Sequence, residues 1–333
     1  MSAAPHRPRL LVLRALGLGD LLAGVPALRG VRRAFPGHRV VLALPPALRE
    51  AALATAAVDA VFPAEAPNRE VPSLGHWPGP PPDLAIDLHG NGPASRDALA
   101  ALTPGRLLAF AQPVPRPPEW RPDEHERARW CRFLAAYGIA ADPDDVRLPA
   151  PAGVSPAPGA VVVHPGAESA SRRWPAERYA ALARELRHAG HRVVVTGGPR
   201  EDALVLDVAG RAGLPERDVL GGGLPFGELS ALVARAALVV SGDTGLAHLA
   251  VAHATPSVTL FGPVSPRLWG PPRSERHVAL WKPGPPGDPH GAVPDPQLLR
   301  IGADEATAAA LALLRATDRT TAPPRKGEEA RVR

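Results

Sequence analysis

Residues Val239–Ala252 read VVSGDTGLAHLAVA. The stretch begins as a buried strand and ends as a helix, with Ser-Gly-Asp-Thr-Gly at the join. A tight connection needs only one or two such residues. The surplus points to something sitting on the helix start. Asp243 or Thr244 can cap the helix, and the exposed N–H groups around Gly245 form a ready anion site. A phosphate would be held by those groups, the Thr244 hydroxyl and the positive end of the helix dipole. His248 follows one turn in. Taken alone, the same string also reads as a well-capped helix whose glycines serve the turn.

The pattern repeats outward from this junction. Apolar runs at 10–13, 38–45, 60–62, 83–90 and 105–110 read as strands. Helical spacing follows several of them, starting with "LLAGVPALRGVRRAF" at 21–35. Proline-rich 140–160 lacks periodicity and is the natural linker. The order then restarts, with strands expected at 160–166, 191–198, around 237–243 and 257–263. A proline-rich loop spans 263–296, and a final helix covers 304–316. Strand–helix alternation predicts α/β layering with parallel sheets. Two Rossmann-like halves would face each other across a cleft, where the strand C-termini of open α/β sheets bind ligands.

The 333 residues suffice for two domains. A net charge of +5 is carried almost wholly by arginine, since Lys282 and Lys326 are the only lysines. It permits anionic partners but does not demand nucleic acid, because no basic run is interleaved with aromatics. Cys131 is the only cysteine, which fits a reducing, cytoplasmic setting and excludes disulfides within the chain. The apolar run before Arg14 is too short for a signal core or a membrane span.

Three further strand ends carry candidate chemistry. In "RALGLGDLLAGVPALRG" (14–30) the glycines allow a close turn and Asp20 projects from the helix start. A carboxylate there can serve as a general base, or simply cap the helix. Gly17 and Gly19 fit G-x-G, but Leu22 stands where a dinucleotide fingerprint needs its third glycine or alanine, so a dehydrogenase is disfavoured. In "HPGAESASRRWPAERYAAL" (164–182), Arg172 and Arg173 flank a loop and can pair with a diphosphate. Asp87, His89 and Arg96 lie in "DLHGNGPASR", and Glu201 in "TGGPRED" can accept hydrogen bonds from a ribose. No Walker A sequence occurs, and no His/Asp cluster suggests a bound cation.

Taken together, four blocks resemble glycosyltransferase family 9, the ADP-heptose:lipopolysaccharide heptosyltransferase group. They are "LGLGDLLAGVPALRGVRRAFP", "DLAIDLHG", "VVVHPGAESASRRWPAERYAALA" and "VVSGDTGLAHLAVAHATPSVTLFGPVSP". The polar composition of 317–333 reads as a disordered tail. The resemblance implies a GT-B fold, with an acceptor-binding domain over 1–150 and a nucleotide-sugar domain over 156–316. It implies inverting transfer of a sugar, heptose above all, onto a glycolipid or saccharide hydroxyl, with no metal and no cofactor besides the nucleotide-sugar donor. Asp20 matches the family's proposed base. Arg172 stands where a phosphate-binding lysine is usual, and Glu201 falls near a ribose-contacting glutamate. Asp243, Thr244, Gly245 and His248 match the donor string, while Asp87, His89 and Arg96 are acceptor-side candidates. Cytoplasmic localisation, with peripheral contact at the inner membrane face, follows from the same resemblance. Two departures bear on the donor: arginine at 172, and Glu168, whose charge would oppose a diphosphate. Other readings are a family member with a different nucleotide sugar, a nucleotide-sugar epimerase and a non-catalytic sugar-nucleotide binding protein.

Overall fold

The computed structural model describes residues 7–110 and 118–321. The first half holds β1 (Arg9–Leu13), β2 (Arg39–Leu44), β3 (Ala60–Pro63), β4 (Leu84–Asp87) and β5 (Arg106–Leu108). They form one parallel sheet in the order β3-β2-β1-β4-β5. The second half holds β6 (Val161–His164), β7 (Val193–Thr196), β8 (Val219–Leu220), β9 (Leu238–Gly242), β10 (Ser257–Leu260) and β11 (His277–Leu280). Their order, also parallel, is β11-β10-β9-β6-β7-β8. In each sheet the chain starts centrally, winds one way and then reverses, which creates a crevice at the strand C-termini. The reversal lies between β1 and β4, where Leu13 pairs with Asp87, and between β6 and β9, where His164 pairs with Ser241.

The strands are short and apolar because both faces of each sheet are covered by helices. Leu10, Val12, Leu42 and Ile86 pack with Trp130 and Phe133 on one side of the first sheet. Leu11, Leu13, Ala43 and Ala85 face Phe62 and Leu99 on the other. In the second half Val161, Val163, Val195 and Val240 bury against Tyr179, Leu182 and Leu186, while Val162, Val194 and Val239 meet Leu232 and Leu249. The helix expected over 21–35 is two helices, Leu18–Ala23 and Val25–Ala34, broken at Gly24 with proline in the first turn of the second. The 263–296 loop contains β11, whose HVAL adds a half-buried edge strand. The last helix, Ala303–Thr321, runs past residue 316 into the segment expected to be a tail. Residues 322–333 lie outside the described ones.

The halves meet at their strand C-termini. Gly270 O accepts hydrogen bonds from His125 Nε2 (3.0 Å) and Arg127 Nη1 (2.9 Å), and Leu148 N–H donates to Ala252 O. Among the described residues no helix is long and apolar enough to cross a membrane.

Candidate active site

The two reversal points face each other through two helix starts. Helix Leu18–Ala23 follows β1, and helix Gly245–Ala252 follows β9. They touch because both carry glycine at the contact. A Cβ on Gly245 would lie 2.9 Å from Leu18 Cβ, and one on Gly19 would lie 3.1 Å from His248 Cδ2. The absent side chains bring the start of one helix against the start of the other.

Asp20 lies in the first turn of its helix and is buried. Its Oδ2 accepts the Gly17 N–H at 3.1 Å, as the capping reading foresaw. Arg69 reaches it from the loop after β3, with Nη2 2.9 Å from Oδ1 and 3.0 Å from Oδ2. That loop sets both Asn68 (φ 52) and Arg69 (φ 61) in the left-handed region. Such backbone costs free energy in non-glycine residues and tends to occur where function requires a particular side-chain direction. Arg69 Nη1 also lies 3.8 Å from the exposed Glu168 carboxylate of the second half. Sequence reasoning missed Arg69, for "PNREV" carries no pattern that distinguishes it.

Behind Asp20, Arg14 is fully buried. It donates to Asp20 O (2.6 Å), Leu88 O (2.6 Å) and Glu126 Oε1 (3.0 Å). Glu126 also accepts from Arg129 and from Trp130 Nε1. This network, too, was not foreseen. Its one local signal was an arginine ending an otherwise apolar run.

In the second half, Thr244 is the residue at the cap of its helix, but neither expected side-chain cap forms. Asp243 turns instead to Arg172, whose Nη1 lies 2.8 Å from Oδ2. Burial pushes the Asp243 carboxyl up; Arg172 pulls it back, and the charge of Asp20 across the cleft adds to the rise. The Thr244 Oγ1 is buried without a hydrogen-bond partner. His248 Nε2 sits 4.0 Å from Asp243 Oδ1. It does not form an ion pair there, because burial, with Arg127, His125 and Arg172 nearby, pushes its pKa down to about 3. Its ring packs edge-on to Trp269. Glu201 accepts the Gly198 N–H at 2.7 Å, lies 4.0 Å from His164 Nε2, and fills a hollow that a Cβ on Gly166 would occupy.

In the first half, Asp87 accepts from Ser95 Oγ (2.6 Å) and His89 N (2.9 Å), and burial lifts its pKa to about 6. The Ala15 N–H donates to His89 Nδ1 at 3.2 Å, so the neutral ring carries its proton on Nε2. Burial and the Arg14 charge hold that ring's pKa down at about 4. Leu16, Arg69, His89, Asn91 and Ser95 line a 340 Å³ pocket. Arg96 does not line it and pairs with Asp97. Among the described residues no group of three or more His, Cys, Asp or Glu side chains is placed to hold a metal ion.

Two Rossmann-like halves joined by a linker, with their reversal points facing, define the GT-B glycosyltransferase fold. Residues 140–287 match glycosyltransferase family 9 (heptosyltransferase). Lipopolysaccharide heptosyltransferase 3 of Escherichia coli is 34% identical over 123 residues, which cover 36% of each protein. The matched stretch therefore spans about a third of this curated relative's length. Two solved structures share the fold across nearly the whole chain. The family 9 glycosyl transferase of Veillonella parvula has a TM-score of 0.73 at 18% identity, covering 95% of this chain and 100% of its own. E. coli ADP-heptose lps heptosyltransferase II has a TM-score of 0.72 at 20% identity, covering 93% and 99%.

Proposed function

We propose that the chain is an inverting glycosyltransferase that moves heptose from ADP-heptose onto a hydroxyl of a lipopolysaccharide-type acceptor, without metal or cofactor. The observation that carries this reading is the Gly19–Gly245 contact. It sets a buried carboxylate, Asp20, across from the unpartnered Thr244 hydroxyl at a free helix start. The E. coli structure named for ADP-heptose supports the donor.

In this mechanism the acceptor hydroxyl gives its proton to Asp20 as its oxygen attacks the anomeric carbon from the face opposite the nucleotide. The bond from that carbon to the diphosphate breaks, and ADP departs with the electron pair. Arg69 fixes the carboxylate so that its remaining lone pairs face the acceptor. The charge gathering on the diphosphate is met by the Thr244 hydroxyl, the N–H groups at the start of helix Gly245–Ala252, and Arg172. The helix contact between the halves excludes water and limits hydrolysis of the donor. The acceptor, a glycolipid or its saccharide, would be presented at the inner face of the cytoplasmic membrane.

A second reading keeps the transferase but changes the nucleotide sugar. The Arg172–Asp243 pair and the placement of Glu168 beside Arg69 favour it, since both alter the surroundings of the donor. Calorimetry with ADP, GDP, UDP and dTDP separates the two. Selective ADP binding is expected. Selective binding of another nucleotide would move the donor, and binding of none would remove the transferase reading.

A further inference from the structure

We infer that Arg14 is a positioning residue that locks the Asp20 segment and the His89 segment into one frame. The inference rests on the transferase reading of Asp20. The Arg14 guanidinium spends its hydrogen bonds on three targets: the main-chain carbonyl of Asp20, the carbonyl of Leu88 next to His89, and the Glu126 carboxylate. Two of these are main-chain atoms on the two sides of the β1–β4 reversal point. The third anchors the pair to helix Glu126–Ala135, where the Trp130 ring also lies against the guanidinium, 5.2 Å from its carbon.

Arg14 is 1% exposed, so it acts through Asp20 and the Leu88–His89 turn and does not touch substrate. The fold makes room for it. A Cβ on Gly24 would lie 2.9 Å from Arg14 Nε and 3.0 Å from Cδ. The break between the first two helices therefore occurs where the arginine passes beneath them. A planar fork with donors in divergent directions can hold three acceptors at once, and a lysine ammonium on a flexible stem cannot reproduce that geometry. The Glu126 charge keeps two further donors, so it stays compensated in an Arg14→Lys protein.

The test compares the full-length wild type with Arg14→Lys and with Gly24→Ala, which pushes on the Arg14 side chain while keeping every charge. Trp130→Phe removes one donor from Glu126 and keeps an aromatic ring beside Arg14, and it serves as the control for lost packing. Amide hydrogen exchange should quicken over Gly17–Gly24 in the first two variants and not in the third. With ADP-heptose as donor and core-truncated lipopolysaccharide as acceptor, kcat should fall about ten- to a hundredfold in the first two. KM for ADP-heptose and Kd for ADP should stay at wild-type values.

Wild-type kcat in both variants, with or without faster exchange, would reduce Arg14 to a packing role and overturn the inference. If Arg14→Lys does not fold, Gly24→Ala decides alone. A wild type that transfers nothing would end the transferase reading. The exchange comparison would then judge the hold of Arg14 on Asp20, with unchanged exchange overturning it.

Discussion

Asp20 and Arg69, 49 residues apart in sequence, meet through one arginine nitrogen placed 2.9 Å and 3.0 Å from the two carboxylate oxygens. If Arg69 orients the base, Arg69→Met should lower kcat about tenfold or more while leaving ADP affinity unchanged. Steady-state kinetics with calorimetry checks this, and an unchanged kcat would make the pair a surface detail.

Thr244 offers a separation of stability from binding. Its hydroxyl has no partner in the free protein, so Thr244→Val should leave Tm unchanged or slightly raised. Losing one hydrogen bond to a charged diphosphate should weaken ADP binding by about 1.5–3 kcal/mol. Unchanged ADP affinity would take Thr244 out of the donor site.

The glycine contact between the halves makes a steric prediction. Gly245→Ala drives a methyl into Leu18, should force the helix starts apart and should lower kcat about a hundredfold, the scale of a misplacement near 1 Å. Gly210 lies in helix Asp202–Ala212, where a methyl meets nothing within 4 Å. Gly210→Ala should raise stability by up to about 1 kcal/mol and leave transfer untouched. Equal effects from both substitutions would contradict the close approach.

Stability should fall on mild acidification. Burial lowers the pKa of His89, His253 and His277 to about 4 and that of His248 to about 3. Depressed histidines favour the fold while neutral, so their contribution is complete above the unfolded value of about 6.5. It is lost as pH falls from there toward 4. Asp87, raised to about 6, works in the opposite direction: it favours the fold while protonated, and its contribution is lost as pH rises from about 4 to 6. Burial also lowers His125 and His164 and raises Asp243, so six histidines are set against two carboxyls and Tm should drop between pH 6.5 and 4. A flat or rising Tm over that window would contradict the buried neutral imidazoles.

What the sequence made legible was local. Strand-then-helix alternation, the SGDTG junction and Asp20 at the start of the helix after β1 depend on neighbours within a few residues, and the local pattern revealed them. The role of Asp20 as base rests also on the family resemblance. Arg69 and the Arg14–Glu126 pair depend on contacts 49 and 112 residues apart, beyond the reach of any periodicity. The expected cap by Asp243 failed for a similar reason, because the distant Arg172 takes its carboxylate. The helical spacing over 21–35 runs straight through Gly24. The structure makes it a boundary, because the Arg14 side chain passes where its Cβ would be.

The most direct test is product analysis by mass spectrometry. Wild-type protein and Asp20→Asn are each incubated with ADP-heptose, with and without core-truncated lipopolysaccharide. The account predicts that wild type adds one heptose to the acceptor and releases ADP only when acceptor is present. Asp20→Asn should bind ADP normally and transfer about 10²–10⁴-fold more slowly. Transfer by Asp20→Asn at the wild-type rate, or conversion of the donor sugar with no acceptor present, would contradict it.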